Sequence, residues 1–362
     1  MHSQNEWGQL RKVVVGHATN ARVPEIDISL RHINYADVED ELTIPSGVYP
    51  QIVIDEANED LETFVDFLEK ESVEVVRPDV TECNYYNYCP RDSVLVYKDK
   101  SIATPMPLRA RRNEYQAYEH HLENLHPYDI IRSDALYNTK CLGDKDTLAL
   151  TEEEPAFDAA NVLRADNDLL YLVSNSGNKS GASLLQSIVD GKVHVVEGIY
   201  SYMHLDSTVA FLRDGLMLLN PSRIKSPEQL PEPFRHWDYI MAPEPVNIGY
   251  HEPYKNSSPW VSMNLLSINP NLVVLEERQE PLRKELELAQ LINYVITVLP
   301  NEFKVIKNEF NLVAEYIDYN YGINNFDKFS NKSLGNSILV GNSATSTNNH
   351  LDVFEIIKSN NN

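Results

Sequence analysis

A strand–turn–strand pattern that recurs four times limits what this chain can fold into more than any single residue does. Residues 92–97 (DSVLVY) meet 101–105 (SIATP) across Lys98-Asp99-Lys100, and 161–164 (NVLR) meet 169–174 (LLYLVS) across 165–168. Residues 208–212 (TVAFL) meet 216–220 (LMLLN) across Arg213-Asp214-Gly215, and 264–268 (NLLSI) meet 272–276 (LVVLE) across Asn269-Pro270-Asn271. Each turn is rich in Asp, Asn or Gly, which tolerate tight hairpin geometry. Helical stretches follow several hairpins, at 108–125, 181–190 and 280–291. Closing strands then appear at 193–198 (VHVVEG), 237–243 (WDYIMAP) and 294–300 (YVITVLP). Near the N-terminus, 10–16 (LRKVVVG), a helix over 56–70 and 73–79 (VEVVRPD) read as parts of another unit. The fold class is therefore α/β, built of repeated ββαβ modules and not of one doubly wound sheet.

Equivalent positions in front of the hairpins carry reactive residue types. Pro90-Arg91-Asp92 opens the first, Phe157-Asp158-Ala159-Ala160 the second, and His204-Leu205-Asp206 the third; Ser257-Ser258-Pro259-Trp260 precedes the fourth. Modules arranged around a pseudo-symmetry axis would gather these ends, and with them three carboxylates, a histidine and two serines, at one pocket. On a strand, residues two apart face the same side, so His204 and Asp206 are expected to point together. A guanidinium is a planar cation that carboxylates recognise through paired, charge-assisted hydrogen bonds. Asp92, Asp158 and Asp206 suit such a ligand, with His204 as a general acid/base beside it.

Charge narrows the partners. The 362 residues carry 54 acidic against 31 basic side chains, a net charge of −23, which repels nucleic acid and anionic membranes and attracts small cations. No apolar run reaches membrane-spanning length, and the start MHSQNEWGQL has no basic region followed by an apolar stretch, so the expectation is a cytoplasmic protein. The three cysteines, Cys83, Cys89 and Cys141, lack the spacing of a disulfide framework or zinc site. The histidines and acids lack clustered ligand spacing, so neither metal nor cofactor is expected.

Composition changes after Pro300. Arginine is absent beyond Arg283, proline beyond Pro300, and asparagine makes up 14 of the last 62 residues. Residues 1–300 read as one α/β domain. Residues 301–362 read as an atypical Asn-rich tail, disordered over 342–349 and 359–362, with room for a helix followed by a loop over 302–319.

Several ordered motifs then resemble the amidinotransferases, enzymes that move an amidino group from arginine to an amine. Residues 88–92 (YCPRD), 105–111 (PMPLRAR) and 114–118 (EYQAY) are similar to that family's MPRD, PM-x-x-RAR and EY-x-AY; 154–161 (EPAFDAAN) is similar to EPxFDAAD. Residues 203–206 (MHLD) are similar to MHxD, 219–223 (LNPSR) to NPxR, and 257–264 (SSPWVSMN) to SS-x-WLSMN; 5–10 (NEWGQL) fits the family's start. Across roughly 300 residues the resemblance implies the pentein fold, a five-module α/β-propeller, and an arginine-type donor. It also implies roles. Asp158 pairs with and orients the catalytic histidine, His204. Asp92 and Asp206 hold the guanidinium, and Arg223, Ser257 and Ser258 bind the donor's amino-acid end. Trp260 reads as core packing.

Family chemistry also requires a cysteine nucleophile in a GGGxHC stretch near the C-terminus. This chain has no cysteine after Cys141, and 333–336 (SLGN) only faintly resembles the start of that stretch. The fifth module is thus expected to be altered or incomplete, and the chain inactive on its own. Three explanations stand side by side: a foreign tail from truncation, frame-shift or fusion; a non-catalytic relative that binds arginine-like ligands or a partner; or a nucleophile supplied elsewhere, by Cys89, Cys141 or a second polypeptide. A guanidino-modifying pentein hydrolase is a weaker enzyme alternative. The acceptor amine is open, and a homodimer would be compatible with the sequence.

Overall fold

The computed structural model describes residues 2–288 except 37, 82–84, 132–134, 141–146, 200–202, 248–257 and 277, and beyond them the strand residues 294–296, 315–316 and 338–342. The chain begins with β1 (Lys12–Val14). A small antiparallel pair, β2 (Arg22–Val23) and β3 (Gly47–Val48), brackets helix α1 (Ile28–Ile33), whose N-cap Asp27 accepts a hydrogen bond from the Leu30 amide. The long helix α2 (Gln51–Lys70) then leads to β4 (Glu74–Val76), which lies parallel to β1.

Four hairpin units follow. Helix α3 (Pro90–Ser93) leads into β5 (Val94–Tyr97) and β6 (Lys100–Ala103), with β7 (Leu125–Pro127) parallel to β6. The second unit is β8 (Val162–Ala165), β9 (Asp168–Leu172), α4 (Lys179–Ile188) and β10 (Lys192–Val196). The third is β11 (Val209–Arg213), β12 (Leu216–Leu219) and β13 (Asp238–Met241). The fourth is β14 (Leu266–Asn269), β15 (Leu272–Glu276), α5 (Glu280–Leu288) and β16 (Tyr294–Ile296). In all four the hairpin is antiparallel, and in the first three the third strand lies parallel to the second. Each turn is tighter than the sequence suggests. The closing pairs Tyr97–Lys100, Ala165–Asp168, Arg213–Leu216 and Asn269–Leu272 leave two residues in each loop. Gly215, at φ 73°, supplies the left-handed turn residue of the third.

Three expectations are corrected. The segment 108–125 is not one helix but two short 3-10 turns, Arg109–Arg111 and Glu114–Tyr118, followed by β7. Two of its charged residues, Arg111 and Glu114, pair with each other in the interior, and that burial competes with a regular amphipathic helix. Glu315 and Tyr316, at the end of the stretch given room for a helix and a loop, form strand β17. In the fourth unit, β16 does not lie against β15: a strand from the tail, β18 (Ile338–Asn342), runs between them, parallel to both. Its run ILV suits a strand position. The rest of the region expected to be disordered lies outside the described residues.

Neighbouring units share their cores. Leu95, Tyr97 and Ile102 of the first pack with Val162, Leu169 and Tyr171 of the second. Leu163, Leu170 and Leu172 pack with Phe211, Met217 and Leu219 of the third, and Ala210 and Leu218 pack with Met263 and Leu275 of the fourth. Ile268, Leu272 and Val274 pack in turn with Val15, Phe67, Leu68 and Val73 of the N-terminal βαβ segment, where the Leu10 amide donates to Ile268 O at 2.7 Å. Trp260 belongs to the third–fourth core, in keeping with its reading as core packing. No helix among the described residues is long and apolar enough to cross a membrane.

Candidate active site

The turns that open the first and second units are stitched together by Arg91. Its guanidinium donates to Val162 O at 2.9 Å and Ala159 O at 3.4 Å. Pro90 stands at the first position of α3, where its fixed φ and missing N–H are no disadvantage, and the turn places Asp92 inward, 9% exposed. Asp158 occupies the N-cap position of the 3-10 turn Ala159–Asn161, yet its side chain makes no cap hydrogen bond. Its Oδ2 instead meets His204 Nε2 at 3.0 Å.

His204 lies between two carboxylates, since its Nδ1 is 3.7 Å from Asp92 Oδ1. The other oxygen of Asp92 accepts from Arg111 Nη1 at 2.7 Å, and Arg111 Nε donates to Glu114 Oε2 at 2.8 Å. Glu114 is fully buried and also accepts from the Tyr86 amide and Ser93 Oγ, while the Arg111 guanidinium lies over the Tyr86 ring, 5.1 Å from its centroid. Burial pulls the His204 pKa down, but Asp92, Asp158 and Asp206 more than offset it and leave it raised to about 9, so the ring is an imidazolium at neutral pH. Burial pushes Asp92 up, and the charges of His204 and Arg111 reverse this and hold its carboxyl below the ordinary range. Asp206 differs: burial keeps its pKa raised against the pull of His204 and Arg91, and Asp206 forms no ion pair with another described residue.

The structure therefore brings Asp92, Asp158 and His204 into contact and sets Asp206 in their field. The route differs from the expected strand alternation, because 203–208 form a turn. The amides of Thr208 and Val209 both donate to Leu205 O, and Leu205 is buried between His204 and Asp206. Arg223 lies next to Asp206 along the chain's fold: its Nη1 donates to Ser207 O, Ser207 Oγ and Thr208 Oγ1 at 3.1, 2.8 and 2.7 Å. Ser258 caps the 3-10 turn Pro259–Met263 by accepting from the Trp260 amide at 3.2 Å, and has no described contact with the carboxylates. Ser257, Cys83 and Cys141 lie outside the described residues.

Arg111 and Glu114 were visible in the sequence only as motif letters without a role. An oppositely charged pair three residues apart was the available signal. Cys89 is half-buried beside the cluster; burial first and Asp92 next push its thiol far above the ordinary range, with Glu114 and Asp206 adding and Arg111 opposing. No group of three or more His, Cys, Asp or Glu side chains is placed to hold a metal among the described residues. The cluster has four carboxylates, Asp92, Glu114, Asp158 and Asp206, against three cations, Arg111, His204 and the nearby Arg91. Such a site favours a further cation next to an acid/base group.

No family model matches the chain. It is 40% identical over 307 residues to inosamine-phosphate amidinotransferase 1 of Streptomyces griseus, spanning 78% of this chain and 87% of that protein. It is 32% identical over 316 residues to the L-arginine:L-lysine amidinotransferase of Pseudomonas savastanoi pv. phaseolicola, spanning 79% and 86%. Among solved structures, the inosamine-phosphate amidinotransferase of Streptomyces griseus superposes with a TM-score of 0.75 at 39% identity, over 80% of this chain and 89% of that one. An amidinotransferase of the saxitoxin biosynthetic pathway from Microseira wollei shares the fold, with a TM-score of 0.70 at 24% identity over 88% and 91%.

Proposed function

The chain belongs to the amidinotransferase family, and from that premise we propose that it binds arginine or a similar guanidino donor between Asp92 and Asp206, next to the acid/base pair His204–Asp158. The observation that carries this reading is the imbalance at the site. Asp206 is drawn in among carboxylates with no cation paired to it among the described residues, while Asp92 already has Arg111 on one oxygen. A guanidinium supplies the missing charge and the planar donor geometry that two carboxylates match. Arg223, with Ser257 and Ser258, is assigned to the amino-acid end of the donor.

In amidino transfer a thiolate attacks the guanidinium carbon and the bond from that carbon to the ornithine nitrogen breaks. A proton from His204 goes to the departing amine. The acceptor amine then attacks the thiol-bound amidino carbon, the carbon–sulfur bond breaks, and His204 takes the proton that the acceptor loses. The His204 imidazolium, held by Asp158, is poised for the first of these proton transfers. The acceptor is an amine whose identity these residues do not select; the relatives named above carry different acceptors in their names.

The nucleophile has no assigned residue in this chain. Cys89 is a poor substitute, because the carboxylates that favour a guanidinium disfavour a thiolate. We therefore assign the isolated chain donor binding without turnover; a binding protein without chemistry is the second reading, and the protonated Cys89 thiol favours it. The propeller arrangement is supported by the succession of shared cores from the first unit through the fourth to the N-terminal βαβ segment. That last segment pairs β1 only with β4 among the described residues, which fits a fifth module short of its hairpin, while strands from residues 301–362 join the sheet of the fourth unit. The test is to incubate the full chain with arginine labelled at the guanidino carbon, quench in acid, and measure both adduct mass and reversible binding by calorimetry. Reversible binding without adduct supports the reading, and absence of binding overturns it.

A further inference from the structure

The geometry points to Asn161 as the positioning residue that holds the His204 backbone against the Asp158 turn. Asn161 is fully buried, and its side chain joins three segments. Its Nδ2 donates to Leu172 O at 2.9 Å on β9, to Ser174 Oγ at 2.9 Å and to Met203 O at 3.3 Å, the carbonyl just before His204. Its Oδ1 accepts from Ser176 Oγ at 2.7 Å. Ser174 Oγ also donates to Met203 O.

The same network grips the Asp158 side. The Asn161 amide donates to Asp158 O, and the Asp158 amide donates to Ser176 O, both at 2.9 Å. On the far side of His204, the Leu205 amide donates to Ala160 O at 3.1 Å. His204 is thus pinned at the residue before it and the residue after it, to the turn that carries its carboxylate partner. A side-chain amide suits this position because its two Nδ2 hydrogens, one of them shared, serve Leu172 O, Ser174 Oγ and Met203 O while its Oδ1 accepts from Ser176 Oγ in a dry interior. A carboxylate of the same shape would face Leu172 O and Met203 O with no hydrogen to give. Around the ring itself stand Asp92 from α3, Asp158 from the second unit and Asp206 from its own turn, with Arg111 behind Asp92.

This inference rests on His204 being the acid/base of the proposed site, but its test needs no donor. The full chain is labelled at histidine, the His204 signal is assigned by loss in His204→Gln, and its titration is followed by NMR without arginine. Asn161→Ala and Ser174→Ala should each lower the His204 midpoint by about one pH unit or more, because the contact with Asp158 loosens. Leu218→Ala, which removes a buried side chain of β12 from the core shared with the fourth unit, should lower the melting temperature and leave that midpoint in place. An unchanged midpoint in Asn161→Ala and Ser174→Ala, with only a lower melting temperature, would overturn the inference. If Asn161→Ala does not fold, Ser174→Ala carries the test alone. Shifted midpoints in a chain that binds no arginine would keep the positioning role and remove the donor reading.

Discussion

His204 Nε2 and Asp158 Oδ2 lie 3.0 Å apart, although 46 residues separate them in the chain and each stands in the turn that opens a different hairpin unit. Asp158 gives up the cap hydrogen bond its position offers in order to make this contact. Replacing it with Asn keeps the shape and removes the charge, so the His204 titration midpoint should fall from about 9 towards its ordinary 6.5. NMR titration reads this directly, and a midpoint that stays near its starting value would show that Asp92 and Asp206 suffice.

The same raised pKa makes stability depend on pH. The folded state holds the His204 proton more tightly than the unfolded state, so this contribution is fully present below 6.5 and is lost as pH rises through about 9. Urea midpoints measured from about pH 6 to about pH 10 should therefore decline across that window in the native chain, and the decline should flatten in His204→Gln. An identical slope in both proteins would place its origin elsewhere.

Asp206 is the carboxylate with no cation paired to it among the described residues, so its removal should touch binding more than folding. Asp206→Ala is expected to weaken arginine binding by about tenfold or more, the loss typical of a charge-assisted contact. Its melting temperature should hold or rise, since a half-buried, desolvated carboxylate is gone. Calorimetry that shows undiminished affinity would move the guanidinium away from this residue.

Arg111 has the opposite profile. It is 5% exposed and neutralises both Asp92 and the fully buried Glu114, so Arg111→Ala strands two carboxylates in the interior. The expected loss is about 3–5 kcal/mol of stability at neutral pH, smaller in acid where the stranded carboxyls are protonated. Urea unfolding at neutral pH and again in mild acid checks both the size and the sign of the pH effect.

Cys89 should stay unmodified by labelled arginine, and its alkylation by iodoacetamide in mild alkali should be slow compared with a free thiol, because burial and Asp92 keep it protonated. Cys89→Ser should leave arginine binding within about twofold, a change of roughly 0.4 kcal/mol. An amidino adduct at Cys89 would restore a nucleophile to this chain and make it capable of the first half of the transfer by itself.

Much of this architecture is legible in the chain alone. Four pairs of apolar runs separated by Asp, Asn and Gly turns could only be hairpins, and period-two patterning with tight turns is a local property of the chain. The residues in front of those hairpins are legible too, as Asp92, Asp158, His204 and Asp206. The path of 108–125 is not. Its helical periodicity is real, but periodicity cannot foresee that Arg111 and Glu114 will be drawn inward to pair. Nor can it foresee that residues 338–342, in a stretch whose composition reads as tail, run as a strand between β15 and β16, since strand pairing is decided by which edge is free in three dimensions.

What the sequence by itself determined was the repeating unit, the family and the inventory of reactive residues, all of them matters of local pattern. Only the tertiary structure decided what those residues do to one another. Asp92 is neutralised by Arg111 and Asp158 is engaged by His204, while Asp206 is left without an ion pair among the described residues; Asn161, the closing letter of a motif, becomes the pin between two turns. The reason is physical. A hairpin needs only neighbours along the chain, whereas the charge state of a buried carboxylate is set by whatever lies within a few ångströms, and those groups come from other units of the fold.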